Sequence, residues 1–179
     1  LAGDLDLSSF KALKKVDVAR NNLSSVSVAN CSMLTDFNAS RNILTSVDFA
    51  NCSALKSVLI YKNRLTAISL DAASLIETLN VSNNLIVELN VSNLTAMTTL
   101  NCQSCHLESL LVDGCTELKN LYCGYNKLTA LNLFGVENLK NLDVSSNQIT
   151  TMVVSGLPSL STFMCSNNRM TTLGVRNCN

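Results

Sequence analysis

The chain's 179 residues suffice for one domain with a single core. Apolar residues make up 47% of it but aromatics only 4%, with no tryptophan, so the core must be assembled from many similar aliphatic side chains. Thirteen basic residues balance thirteen acidic ones, which leaves no global field to recruit nucleic acid or an anionic membrane, and no apolar run is long enough for a membrane-spanning helix.

The chain opens Leu-Ala-Gly-Asp, without initiator methionine or leader, and reads as a processed or excised segment. Residues 1–12 form a partial repeat carried by Leu5, Leu7 and Phe10. From Leu13 onward a period of 21 holds without insertion or deletion through Leu34, Leu55, Ile76, Met97, Leu118, Leu139 and Leu160, giving eight repeats over residues 13–179. With those residues as position 1, positions 1, 4, 6, 11, 14, 16 and 19 are apolar in every copy. The pairs 4 and 6, and 14 and 16, are two apart, which is the strand period. Each repeat therefore predicts a coil with two short extended segments whose apolar residues point inward, hidden only by the coils on either side. Twenty-one residues leave little room for a helix, so the expected fold is a parallel β-sheet stack with short turn or 3₁₀ connections.

Position 9 reads Asn21, Asn42, Asn63, Asn84, Cys105, Asn126, Asn147, Asn168. An inward amide has donors and an acceptor to satisfy main-chain groups at a buried turn, so these residues predict a ladder. The eight cysteines also fall on inward positions: Cys31, Cys52, Cys115 and Cys178 at 19, Cys102, Cys123 and Cys165 at 6, and Cys105 at 9. They read as small hydrophobes in a buried column. Neighbours such as Cys31 and Cys52 are close enough for a bridge, though parallel side chains strain its closure. A zinc site from Cys102, Cys105 and Cys123 lacks a fourth ligand.

Function in such a stack falls to outward positions. In chain order, position 8 carries Arg20, Arg41 and Lys62, three cations one strand apart. An acidic partner or anionic glycan is one explanation, and a solvated ridge partly balanced by Asp17 and Asp36 is another. Leu59, Tyr61, Tyr122, Tyr125 and Met164 are apolar or aromatic where solvent is expected, and Tyr122 with Tyr125 is the foremost candidate anchor pair. Seven candidate N-glycosylation sites occur at outward positions: Asn22, Asn30, Asn38, Asn51, Asn80, Asn90 and Asn93. In a chain this rich in Asn, Ser and Thr, several would also arise by chance. His106 is the only histidine and has no carboxylate at a helpful spacing; no catalytic, cofactor or metal residue is expected, and no enzyme.

The stretch Leu139-Lys-Asn-Leu142-Asp-Val144-Ser-Ser-Asn147-Gln-Ile149 resembles the leucine-rich repeat pattern, L-x-x-L-x-L-x-x-N/C-x-L. The 21-residue spacing with inward cysteines is similar to that of bacterial surface proteins of the internalin type. The resemblance implies an α/β-class leucine-rich repeat solenoid with little helix. It also implies an exported adhesion or protein-recognition module, extracellular or at the cell surface, that binds a protein or glycan on its outward strand face. Neither cap is visible in the sequence, so a fibre or matrix subunit joined head to tail is an alternative expectation. An intracellular scaffold, which free thiols would suit, is another.

Overall fold

The computed structural model describes residues 1–176. Cys178, expected at position 19 of the last repeat, lies outside the described residues. Fifteen short strands occur among the described residues, all pairing in parallel. The first five are β1 (Ala2–Asp6), β2 (Lys15–Asp17), β3 (Asn22–Ser27), β4 (Asp36–Asn38) and β5 (Ser46–Asp48). The next five are β6 (Ser57–Leu59), β7 (Thr78–Asn80), β8 (Glu88–Asn90), β9 (Thr99–Asn101) and β10 (Ser109–Leu111). The last five are β11 (Asn120–Tyr122), β12 (Asn141–Asp143), β13 (Thr151–Ser155), β14 (Thr162–Met164) and β15 (Thr172–Arg176).

One strand from each repeat enters an eight-stranded sheet, in the order β2-β4-β6-β7-β9-β11-β12-β14. Its register equals the repeat: Asp17, Asn38, Leu59, Asn80, Asn101, Tyr122, Asp143 and Met164 stand side by side. The chain is thus a right-angled reading of its own period, each coil bonded to the one 21 residues away. Helix, which the sequence expects to be slight, is absent among the described residues, as are 3₁₀ segments; turns and bends make every connection.

Positions 1, 4, 6 and 11 supply the deepest layer, with Leu34, Leu55, Ile76, Leu79, Leu100, Leu118, Leu121, Leu139 and Leu142 fully buried. The two inward phenylalanines of the second coil, Phe37 and Phe49, meet edge to face at 5.0 Å. The asparagines of position 9 bond across coils. Asn147 Nδ2 donates to the carbonyls of Val144 in its own coil (3.1 Å) and Cys123 in the preceding one (3.0 Å), while its Oδ1 accepts from Leu128 N–H (2.9 Å). Asn42, Asn63, Asn84, Asn126 and Asn168 repeat this set. No buried side-chain polar atom lacks a partner among the described residues.

The cysteines are more than small hydrophobes. Cys52 Sγ donates to Val28 O and Cys115 Sγ to Val91 O, each at 3.0 Å, and Cys105 Sγ donates to Val81 O at 3.2 Å. Each reaches the carbonyl 24 residues back, the same offset the asparagine amide spans. Thiols at position 19 therefore do at the second corner what amides do at the first. All seven described cysteines are free and six are buried. Burial pushes the thiols of Cys102, Cys123, Cys52 and Cys115 up, and that of Cys105 to about 11, which keeps the S–H that donates.

The second face is interrupted. It pairs as β1-β3-β5, β8-β10 and β13-β15, with no strand from the third or sixth coil. The corner at position 18 is left-handed at Asn30, Asn51, Asn93, Gly114, Gly135 and Gly156, with φ between 60° and 78°. Ala72 occupies that place in the third coil and has no positive φ, since its Cβ disfavours the conformation. In the sixth coil, Asn132 turns aside to Asp113 Oδ1 (2.6 Å) and accepts Phe134 N–H (3.2 Å).

Two expectations follow. Asn147→Ala orphans a buried N–H and buried carbonyls at about 1–3 kcal/mol each, whereas Cys105→Asn restores an oxygen for Ile86 N–H and gains about 0.5–1.5 kcal/mol per bond; denaturant midpoints should move in opposite directions. The raised Cys105 thiol binds its proton more tightly folded than unfolded, so its contribution is intact below the ordinary value of 9.0 and is lost as pH rises towards about 11. Thermal midpoints measured across that window should decline, and Cys105→Ala should flatten the decline.

Candidate interaction surface

The eight-stranded sheet turns positions 3, 5 and 7 outward. The candidate binding residues fall into two groups on this face. Leu59 and Tyr61 are half-buried on the third coil. The Arg41 guanidinium lies over the Tyr61 ring, 5.9 Å from its centre, and bonds from Ser40 and then Arg41 hold the Tyr61 hydroxyl below the usual phenol range. Tyr122 is half-buried on the sixth coil, three strands and about 14 Å from Leu59. Tyr125 is 63% exposed at the corner of that coil, and Met164 stands two strands beyond Tyr122 with Asp143 between. The only aromatic ring contact among the described residues is Phe37–Phe49, so Tyr122 and Tyr125 share a coil without stacking.

Position 8 is left-handed in all eight coils: Arg20, Arg41, Lys62, Asn83, Ser104, Tyr125, Ser146 and Asn167 have φ between 52° and 58°. That conformation costs an L-residue roughly 1–2 kcal/mol, less for asparagine. Its side chain is thrown outward at the rim, and Arg20, Arg41, Lys62 and Tyr125 are all exposed. Neither Asp17 nor Asp36 forms an ion pair with Arg20, Arg41 or Lys62. Asp17 accepts from Ala19 N–H and the Asn38 amide, Asp36 accepts from the Thr35 hydroxyl, and the ion pairs among the described residues are Lys56–Glu77 and Lys127–Glu108.

Two features of the surface escape sequence reasoning. Asp143 is outward yet only 5% exposed. Its Oδ1 accepts from Ser145 N–H (2.9 Å) and hydroxyl, and its Oδ2 accepts from Gln103 Nε2 (2.8 Å), two coils away. The bridge crosses Gly124, where an added Cβ would lie 3.1 Å from that carboxylate. The one signal was a glycine at position 7 with an aspartate beside it on the next coil. The second feature is a groove of about 630 Å³ on the other face, where the third coil has no strand; Asp71, Glu88 and Asn90 are among its polar lining.

Of the candidate glycosylation sites, Asn22, Asn30, Asn51, Asn90 and Asn93 are exposed. Asn38 and Asn80 are half-buried on the sheet, each accepting from a serine two residues on, Ser40 and Ser82. His106 is exposed, and no group of three His, Cys, Asp or Glu that could hold a metal, Cys102 with Cys105 and Cys123 included, is found among the described residues. No helix among them is long and apolar enough to cross a membrane.

The family model for Leucine Rich Repeat matches residues 138–160. Among solved structures, the functional domain of InlJ from Listeria monocytogenes, described as including a cysteine ladder, is similar with 27% identity and a TM-score of 0.87. The match covers 93% of this chain and 38% of that one. A leucine-rich-repeat protein of Leptospira interrogans is similar in fold at 22% identity and a TM-score of 0.77, over 91% of this chain and 45% of that one. The APL1 leucine-rich repeat domain is similar in fold at 22% identity and a TM-score of 0.79, over 96% and 51%. The chain thus spans about half or less of the length of each. No curated protein sequence gives a significant match.

Gly124→Ala should push the Asp143 carboxylate off Gln103 and cost stability at the low end of about 1–3 kcal/mol, read as a lower denaturant midpoint. An unchanged midpoint would mean the bridge yields freely.

Proposed function

Because the chain is a leucine-rich-repeat solenoid, the framework of a protein-interaction module, we propose that it is the binding region of a larger exported adhesion protein and not an enzyme. The carrying observation is the division of labour along each coil: inward positions are committed to packing and hydrogen bonds, while the sheet face and its left-handed rim are free to vary. Tyr122, Tyr125 and Met164 would anchor a protein partner at one end of the face, with Leu59 and Tyr61 at a second cluster. Aromatic side chains offer large contact area at small entropic cost. The likeness to the InlJ domain with its cysteine ladder, together with the resemblance of the 21-residue repeat to internalin-type surface proteins, supports a place outside the cell. Export through a eukaryotic secretory route would bring sugar to Asn22, Asn30, Asn51, Asn90 and Asn93 first, and to Asn38 and Asn80 only after their serine bonds are given up.

Beads coated with the purified chain should adhere to cultured epithelial cells, and the Tyr122→Ala/Tyr125→Ala variant should adhere several-fold less at an unchanged melting temperature. Equal adherence of the two would refute the anchor assignment, and no adherence by either would refute the adhesion reading. In sedimentation the chain should run as a monomer; rods lengthening with concentration would instead favour a structural subunit.

A further inference from the structure

The basic row of the first three coils has a geometry that its solvated alternative does not explain. Arg20, Arg41 and Lys62 donate their backbone N–H groups to the carbonyls of Ser40, Tyr61 and Ser82, each at 2.9 Å, so their Cα atoms are pinned one strand spacing apart along the stacking axis. The same corner is filled by Asn83 and Asn167 elsewhere, residues that accept the left-handed backbone more readily. Placing Arg and Lys there sets like charges side by side in a strained conformation, and no carboxylate pairs with any of the three among the described residues. The strain is common to all eight coils, but the like-charge cost falls only on these three exposed side chains, in consecutive coils.

We propose that Arg20, Arg41 and Lys62 form a binding site for a linear polyanionic glycan that lies along the stacking axis with one anionic group per sugar ring. Charge and spacing together point to the ligand. Cations recur at about 4.8 Å. Same-side residues of an extended acidic peptide recur at about 6.7 Å, and phosphates along one strand of a DNA duplex rise about 3.4 Å. In a linear glycan each ring advances by close to one strand spacing and successive rings face alternately, so the anionic groups of one side meet Arg20 and Lys62 while that of the ring between is reached by Arg41. The guanidinium groups of Arg20 and Arg41 can grip such groups in bidentate fashion, and the ammonium of Lys62 acts as a point charge. Arg41 is held ready by the Tyr61 ring beneath it. Only that one ring lies close by, and it is already occupied, which disfavours a single-stranded nucleic acid that needs a series of stacking platforms. The site lies three coils from the Tyr122 anchor and shares only Tyr61 with the second cluster proposed for a protein partner.

The test uses heparin oligosaccharides titrated calorimetrically into the intact chain at several salt concentrations. Binding should weaken with salt, and each of Arg20→Asn, Arg41→Asn and Lys62→Asn should lower the slope of log affinity against log salt by about 0.7–0.9. The triple variant should lose roughly tenfold or more in affinity at physiological salt. Asparagine keeps the corner that coils four and eight already use, and an unchanged circular dichroism spectrum and melting temperature confirm the fold. Independently of any variant, desulfated heparin, polyglutamate and a DNA oligonucleotide should each bind the unaltered chain at least several-fold more weakly than heparin. Undiminished binding by the triple variant, equal binding of polyglutamate or DNA, or no binding of heparin would each overturn the proposal. Loss of heparin binding with retained Tyr122-dependent adherence would separate this site from the protein surface.

Discussion

Each coil is built so that its neighbour completes it, and the asparagine amide of position 9 is where that dependence is tightest. A single side chain satisfies a carbonyl of its own turn, a carbonyl of the turn before, and an N–H of the turn before. Removed from water, those groups would each be costly, so an isolated coil cannot be stable and a stack can. The 21-residue register follows directly, because any insertion would move the amide away from all three partners. The thiols of Cys52 and Cys115 extend the same logic to the opposite corner with a weaker donor.

This commitment of the interior explains why the rim is so permissive. Side chains at position 8 contribute nothing to the core; only their backbone N–H is needed, and Arg, Lys, Asn, Ser and Tyr all serve. Likewise position 5 accepts Leu59 or Tyr122 on inner strands and Asp17 or Met164 on the two edge strands, because the backbone pairing with the neighbouring coils does not involve that side chain. Packing and surface chemistry are therefore written largely in separate positions of the same repeat, the Asp143–Gln103 bridge over Gly124 being an outward feature that also holds coils together.

The parts of the molecule that repeat could be read from the sequence, and the parts that depend on deviation from the repeat could not. The inward columns, the parallel register and the amide ladder all follow from period and polarity. Cys31 and Cys52 sit inward as the period predicts, but their role as donors depends on a carbonyl 24 residues away that no local pattern marks. Tyr122 and Tyr125 lie on one coil as expected; that their rings do not meet is set by the left-handed turn at Tyr125. The burial of Asp143 arises from Gln103 and Gly124 on two different coils, a coincidence visible only once the coils are stacked. Asp17 and Asp36, the natural candidates to neutralise the basic row, are engaged with Asn38 and Thr35 instead.

The two breaks in the second face give the solenoid an uneven mechanical character. One side is laced by an unbroken series of eight strands, while the other is laced in three separate blocks with gaps at the third and sixth coils. A pull along the axis would load the continuous side as a spine and part the other side at its gaps, so the stack would splay like a bound book. The eight-stranded face would thus keep its spacing while the opposite face parts and re-closes at its gaps.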